Sequence, residues 1–213
     1  PAAAIVEIMN EDGSMARRPD LEKFAEKHGI KIGTIVDLIH YRIANEHTVT
    51  KVSSNKMETK YGEFDVHSYK DSISGSLHLA FTMGVIDPND PLLVRVHIPN
   101  TVRDICDVYN LSRTSWSFSN ALEKIAEEGK GVAVLLSGED YGQDLDQNIA
   151  SALNDGSETA SINRSGSDLT IGTGSQILRD LGVGKMRLLS YPAKFNAISG
   201  FDLEVVEFVE FEK

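Results

Sequence analysis

Few side chains in this sequence have the type and spacing that catalysis or metal binding requires. Its 213 residues contain a single cysteine, Cys106, so the chain has no pair of thiols for a disulfide or a thiolate metal site. Cys106 lies between Asp104 and Asp107, whose negative charges disfavour the reactive thiolate. His97 follows an apolar segment and is either a metal or nucleotide contact or, as a lone histidine more often is, a structural group.

A second set of side chains is suited to binding an anion. Arg95, Ser190 and Lys194 can each donate a hydrogen bond to a phosphate, and the backbone amides of a helix beginning at 174–175 can assist. The alternative interpretation is that these three are surface groups without a ligand.

The overall charge and composition exclude several classes of partner. Lys and Arg number 21 against 32 Asp and Glu, and the net charge of −11 repels both a nucleic-acid backbone and an anionic membrane. No apolar run approaches the roughly 20 residues that span a bilayer, and the start of the chain lacks the features of a secretion signal. A single cysteine is consistent with a reducing compartment, so we expect a cytoplasmic protein.

The elements that must position these side chains begin with a short helical segment. Pro and Asp before a helical apolar spacing, with Gly after it, predict a helix over 19–28. Three isoleucines over 30–35 predict a short buried strand. Thr34 can cap a second helix that runs to about Asn45.

From Thr48 the apolar residues alternate, which is typical of strands. Antiparallel strands are predicted at 48–52, 64–69 and 77–81. A further apolar segment follows at 92–96. The polar stretch 98–117 has few apolar anchors and is predicted to be irregular.

Helix and strand alternate through the rest of the chain. Asn120 and Glu123 resemble a capping pair for a helix that ends at Gly129. The later predicted elements are a strand at 132–136, a helix at 175–181, a strand at 186–189, a helix at 193–198 and a strand at 203–208. The Gly-, Ser- and Asn-rich stretch 154–175 is predicted to be a mobile loop. Together these elements predict an α/β core with a mixed sheet.

The run E-x-x-N-x-D-G-x-M-A-R occupies residues 7–17. With the rest of 1–42 it resembles the C-terminal end of 3,4-dihydroxy-2-butanone 4-phosphate synthase. That family converts ribulose 5-phosphate to a four-carbon phosphate and formate with magnesium, and the resemblance implies a place in the substrate site for Glu7. The other catalytic groups of the family, including its metal-binding side chains, are expected upstream, so Glu7 is expected to be inactive in isolation.

Four further blocks are similar to GTP cyclohydrolase II in the same order, namely LLVRVH at 92–97, ALEKIAEEGKGVAVLL at 121–136, GSQILRDLGVGKMRLLS at 174–190 and DLEVVEFV at 202–209. Many bacteria fuse these two enzymes in this order. The resemblance therefore implies a synthase remnant over 1–47 and a GTP cyclohydrolase II-like domain over 48–213. The expected fold is that family's mixed sheet with flanking helices, preceded by the short helical tail of the synthase.

The zinc site of the GTP cyclohydrolase II family is absent from this sequence. In the family one cysteine and a later C-D-C cluster hold the ion, and three thiolates leave a fourth position for water. Here Asn100 stands at the first position, only Ser, Arg and Thr occur over 112–115, and Cys106 is off register. Neutral oxygens of Ser and Asn bind zinc poorly, so we expect no zinc, while magnesium belongs to the full synthase domain.

The arginines that handle the nucleotide in the family are missing as well. Ser137 and Tyr141 stand at the two arginine positions of its R-Q-E-G-R-G-I-G-L segment, and Thr170 stands at its catalytic arginine. The features that persist form the candidate anion- or nucleotide-binding set, Arg95, Glu139, Ser190 and Lys194.

Three hypotheses follow from this pattern. The leading one is a non-catalytic domain that stabilises, dimerises or regulates the fused synthase, with the upstream synthase domain and a second copy of the chain as partners. The second is an active GTP cyclohydrolase, or a related nucleotide hydrolase, with a rearranged site. The third is a sensor that binds a nucleotide, a phosphate anion or a flavin-pathway ligand without turning it over.

Overall fold

The computed structural model describes residues 5–34, 37–38, 41, 46–99, 104–105, 116–137, 164–192 and 201–211, with the backbone alone over 164–170. The chain divides into two compact units, Pro1–Arg42 and Ile43–Lys213. None of the helices over the described residues is both long and apolar enough to cross a bilayer.

The first unit contains helix α1, Arg18–His28, which confirms the helix predicted over 19–28. The Asp20 carboxylate accepts a hydrogen bond from the Arg17 backbone N–H at 3.0 Å, which closes the first turn. Gly29 ends the helix in the left-handed region, at φ 61°. Local signals alone therefore set both ends of α1.

The short strand predicted over 30–35 is wrong for the described residues 30–34, which form no strand. Ile30 and Ile32 are 55% and 54% exposed, so their spacing does not reflect burial within this unit. Thr34 Oγ1 accepts from the Asp37 N–H at 3.0 Å, as an N-cap does. Residues 37–38 and 41 are helical, but 42–45 lie outside the described residues, so the end of this second helix stays a prediction.

The second unit is built on one seven-stranded sheet in the order β1-β2-β3-β5-β4-β6-β7. Its strands are β1 Val49–Thr59, β2 Gly62–Asp71, β3 Leu77–Met83, β4 Leu92–His97, β5 Gly131–Leu135, β6 Lys185–Leu189 and β7 Glu204–Val209. Strands β1, β2, β3 and β5 pair antiparallel, whereas β5, β4, β6 and β7 run parallel. The mixed sheet and the α/β class predicted from the alternation are confirmed.

Two helices cover opposite faces of the parallel part. Helix α2, Phe118–Glu128, places Ile125 against Leu93 and Ala133 on one face. Helix α3, Arg164–Asp180, buries apolar side chains against the other face, where Ile177, Val94 and Val132 share a core. Because β4 leads to β5 on one side and β6 lies on its other side, the carboxyl ends of β4 and β6 mark the point where the strand order reverses, a usual place for ligands in α/β sheets.

The helix boundaries differ from the prediction at two points. Ser117, not Asn120, caps α2, because the Ser117 side chain accepts from the Asn120 N–H. Helix α3 begins at Arg164, so the stretch 164–175 is helical where a loop was predicted. Glycine and threonine are weak helix formers, and packing against the sheet overrides that preference.

Gly174 shows how close this packing is. A Cβ at Gly174 would lie 2.9 Å from Cγ1 of Val96, so only glycine lets α3 approach the end of β4 this closely. The helix predicted over 193–198 lies outside the described residues.

Candidate functional site

The site begins with Arg95, which points from β4 toward the α2 face at the carboxyl edge of the parallel strands. Its Nη1 donates to the carbonyl oxygen of Leu189 at 2.7 Å, and its Nη2 donates to the carbonyl oxygen of Trp116 at 3.0 Å. Its Nε donates to Nδ1 of His97 at 3.3 Å. The guanidinium therefore joins the ends of β4 and β6 to the segment that precedes α2.

His97 is fully buried and uses both ring nitrogens. Because an arginine Nε only donates, His97 Nδ1 must accept, and the ring proton of the neutral form sits on Nε2. That nitrogen lies 2.9 Å from Oδ2 of Asp104, and Oδ1 of Asp104 accepts from the Phe118 N–H at 3.2 Å. With both nitrogens engaged, no lone pair of this tautomer is left for a metal, and the geometry favours the structural interpretation of His97.

The ends of β6 and β7 complete this edge. Ser190 follows directly on Leu189, and its N–H donates to the carbonyl oxygen of Leu188 at 2.8 Å. Trp116 is buried, and its Nε1 donates to the carbonyl oxygen of Val209 at 2.8 Å. Arg95 and Leu189, separated by 94 positions of sequence, are thus joined at one edge, where Ser190 follows Leu189.

A second set of polar contacts lies near the start of β3 and the end of β5. Thr173 Oγ1 lies 3.5 Å from Oδ2 of the buried Asp71. His78 Nδ1 accepts from the Ser137 N–H at 3.1 Å, and the Ser137 hydroxyl donates to the Leu77 carbonyl. Burial lowers the pKa of His78, although the nearby Asp71 charge acts in the opposite direction.

A groove of about 570 Å³ lies between β1 and the end of α3. Its basic groups are paired: Lys51 Nζ lies 2.8 Å from Asp180 Oδ2, and Arg179 Nη2 lies 3.0 Å from Asp202 Oδ2. Tyr69 OH donates to Asp180 Oδ2 at 2.7 Å. Burial is the main cause that raises the pKa of Tyr69, and this bond adds to it. Burial alone would raise the pKa of Asp180, but the bonds from Lys51 and Tyr69 lower it. These internal pairs neutralise the groove, and it contains none of the predicted site residues.

The structure places the predicted residues unevenly. Glu7 is exposed in the first unit, and Arg95 bonds the Leu189 carbonyl directly before Ser190 at the edge described above. Glu139 and Lys194 lie outside the described residues, as do Cys106, Asn100 and 112–115. Within the described part of the chain, no group of three or more His, Cys, Asp or Glu side chains is arranged to hold a metal ion.

Sequence reasoning missed three residues that the structure makes prominent. Asp104 and Trp116 lie in the polar stretch 98–117, where no periodic pattern points to burial. His78 lies at an inward position of the alternation Leu77-His78-Leu79-Ala80, and that alternation is the signal that was available.

Comparison with known proteins identifies two families along the chain. Residues 50–210 match GTP cyclohydrolase II, and residues 1–41 match 3,4-dihydroxy-2-butanone 4-phosphate synthase. A 3,4-dihydroxy-2-butanone 4-phosphate synthase of Pseudomonas aeruginosa is 49% identical over 212 residues, which cover 100% of this chain and 57% of that protein. Riboflavin biosynthesis protein RibBA of Aquifex aeolicus is 44% identical over 215 residues, covering 97% of this chain and 53% of that protein.

A solved structure is similar over the same extent. The crystal structure of RibBX, a two-domain 3,4-dihydroxy-2-butanone 4-phosphate synthase from A. baumannii, has a TM-score of 0.61 and 42% sequence identity, and the match covers 97% of this chain and 53% of that chain. The present chain thus spans about half the length of the relatives it matches. The order of the two family matches confirms the two resemblances inferred from the sequence.

Proposed function

The chain belongs to the GTP cyclohydrolase II family over residues 50–210, behind a segment of 3,4-dihydroxy-2-butanone 4-phosphate synthase at 1–41, and from this premise we propose that its second domain is non-catalytic. In this proposal the domain stabilises or regulates the synthase to which it is fused, in a cytoplasmic protein of riboflavin biosynthesis. A homodimer is part of the same proposal.

The cysteine count is the observation that carries this proposal. A catalytic zinc with three thiolates and one open position needs three cysteines, and the 213 residues contain one. Asn100 and the residues at 112–115 provide only neutral oxygens and a guanidinium, which do not replace thiolates as zinc ligands. The donor set of this chain therefore does not fit the zinc of the family, and we derive no step through that ion.

The electrostatics of the described site support the same proposal. Ser137 stands at an arginine position of the family. Its N–H donates to Nδ1 of His78, and its hydroxyl donates to the Leu77 carbonyl. The persisting cation Arg95 is bonded to two backbone carbonyls and to His97, with the Asp104 carboxylate on the far side of that ring. A triphosphate would meet fewer cations here than it meets in the family, and each lost charge-assisted bond weakens binding by about 1.5–3 kcal/mol.

The names of similar proteins support the proposed role. The P. aeruginosa relative and the A. baumannii structure, which match nearly this whole chain, are both named for the synthase. The A. baumannii protein is described as a two-domain synthase, so in that protein a second domain accompanies the synthase.

Two measurements on the full-length protein test the loss of catalysis. Metal analysis is expected to find zinc well below one ion per chain, and incubation with GTP is expected to release no formate. Stoichiometric zinc together with formate release from GTP would instead establish the alternative, an active cyclohydrolase with a rearranged site.

A third measurement tests the supporting role. Synthase activity, melting temperature and oligomeric state are compared between the full-length protein and a chain that ends before Thr48. We expect the shortened chain to lose at least one of the three, and failure of the shortened chain to fold also counts as dependence on the domain. Equality in all three properties would contradict a stabilising, dimerising or regulatory role.

A further inference from the structure

The last strand of the sheet lies at an edge. Strand β7 pairs with β6 on one side, and among the described residues no strand pairs with its other side. Val206 is 44% exposed, and glutamates recur at every third position of the segment, at Glu204, Glu207 and Glu210. An edge of this kind presents backbone N–H and C=O groups to a further strand.

A groove adjoins this edge on the α2 face. It has a volume of about 740 Å³ and lies between one side of α2 and the segment 207–211. Its apolar floor includes Trp116 and Phe211, whose rings meet edge to face with centroids 5.0 Å apart. The Trp116 Nε1 bond to the Val209 carbonyl holds this floor against the end of β7. Side chains alternate along a strand, so every second side chain of a segment added to β7 would enter the groove.

The rim of the groove is acidic. Five charged side chains line it, with one cation among four carboxylates: Glu123, Lys124, Glu127, Glu207 and Glu210. Lys124 is paired with Glu127 at 2.9 Å, and Glu207 is paired with Arg187 of β6 at 2.8 Å. Glu123 and Glu210 are exposed and form no ion pair within the described part of the chain. These two carboxylates leave an unbalanced negative charge beside an apolar floor.

Charge decides between the possible occupants of this edge. If a second copy added its own β7 in an antiparallel register centred on Glu207, Glu204 would lie opposite Glu210, and like charges placed opposite one another destabilise a sheet. A segment with Lys or Arg at alternate positions would instead bring its cations to Glu123 and Glu210, while their aliphatic stems cover the aromatic floor. Charge complementarity therefore favours a basic strand over a second copy.

We propose that β7 and this groove bind an extended, Lys- or Arg-bearing segment of a separate protein, which adds to the seven-stranded sheet next to β7. Backbone hydrogen bonds to the β7 edge set the register of the segment, and the carboxylates select its charge. The segment 207–211 extends over about 13 Å at about 3.3 Å per residue, so the groove receives about four to five residues of the partner. This surface does not depend on whether the domain binds zinc or turns over GTP.

The test measures binding of a labelled peptide to the full-length protein by fluorescence anisotropy at physiological salt. The probe is Thr-Lys-Val-Arg-Val-Lys-Thr, which carries its three cations on one face of a strand. One control peptide has Glu in place of the three cations. A second control has its five central amides N-methylated, which keeps the charge but removes the N–H donors of the added strand. We expect saturable binding of the probe and at least about ten-fold weaker binding of both controls.

Hydrogen exchange and two matched variants locate the site. The probe should slow exchange of backbone amides over 205–211. Glu123→Gln/Glu210→Gln removes the two carboxylates without an ion pair and should weaken binding of the probe about five-fold. Glu26→Gln/Glu58→Gln removes two exposed carboxylates outside the groove and should bind the probe within about two-fold of the unaltered protein.

The proposal is overturned if the probe does not bind, if the methylated peptide binds equally well, or if Glu123→Gln/Glu210→Gln binds like the unaltered protein. It is also overturned if the probe leaves exchange over 205–211 unchanged. Protection of 205–211 that grows with protein concentration alone would assign the edge to a second copy instead. None of these results affects the zinc and formate measurements, so the proposed function is tested separately.

Discussion

Arg95 Nε donates to Nδ1 of His97 at 3.3 Å, a bond between two side chains on the same face of β4. The bond orients the buried ring so that Nε2 faces Asp104, whose other oxygen accepts from the first N–H of α2. Arg95 thus helps to hold the start of α2 and two strands together.

Removal of the Arg95 guanidinium should destabilise the domain strongly. Arg95→Met leaves the carbonyl oxygens of Leu189 and Trp116 without this donor and frees the His97 tautomer, so we expect a loss of about 3 kcal/mol in the free energy of unfolding. Urea denaturation of the two proteins measures it.

Arg187→Met is the matched control, because Arg187 lies on the neighbouring strand β6 and forms partly exposed ion pairs with Glu128 and Glu207. Its loss should cost about 1 kcal/mol or less. Equal costs for the two arginines would show that the bonds of Arg95 contribute little to stability.

The cap of α2 gives a prediction that separates the sequence interpretation from the structure. Ser117→Ala removes the oxygen that accepts from the Asn120 N–H at 3.1 Å, and should cost about 1 kcal/mol of unfolding free energy. Asn120→Ala, at the position that the sequence pattern favoured, should cost no more than a few tenths of a kcal/mol. The reverse order of the two costs, measured by thermal or urea unfolding, would restore Asn120 as the cap.

The close approach of α3 to β4 predicts that Gly174→Ala is destabilising. Its new methyl group would lie 2.9 Å from Val96 Cγ1, and overpacking of this kind costs about 1–3 kcal/mol. Gly33→Ala is the control, because nothing lies within 4 Å of a Cβ at that position.

A compensating substitution makes this prediction sharper. In the double variant Gly174→Ala/Val96→Ala the clash is removed, so the cost of the double variant should be less than the sum of the two single costs. Strict additivity in urea unfolding would argue against the contact.

The buried His78 and the half-buried His67 predict how stability depends on pH. Burial lowers the pKa of His78 and of His67, and for His67 the Lys51 charge acts in the same direction. The unfolded chain then binds protons at higher pH than the folded chain. The free energy of unfolding is therefore at its full value above about pH 6.5, and it decreases as the pH falls toward the lowered histidine pKa values of the folded state.

Urea midpoints measured between pH 8 and pH 5 check this dependence. The midpoint should fall with decreasing pH below about 6.5, and the variant His67→Gln/His78→Asn should show a flatter decline. A decline of the same steepness in the variant would assign the effect to other groups.

Much of the fold was predictable because its signals are local. Strands β2 and β3 largely alternate buried and more exposed residues, and α1 has its proline and glycine at the two ends. Failures occurred where tertiary packing, or its absence, outweighs the local pattern. The glycines and threonines of α3 argue against a helix until the sheet is there to pack on, and Ile30 and Ile32 suggest a strand although they are exposed.

The sequence by itself determined the family and the presence of a single cysteine, because motif order and a residue count need no coordinates. Only the tertiary structure decided what the remaining polar groups do. Arg95 meets Leu189 and Trp116, and His78 meets Ser137, through hydrogen bonds between residues 21 to 94 positions apart. Such pairs depend on the strand order of the sheet, and a guanidinium or imidazole has the same local sequence signature whether it faces a ligand or a backbone carbonyl.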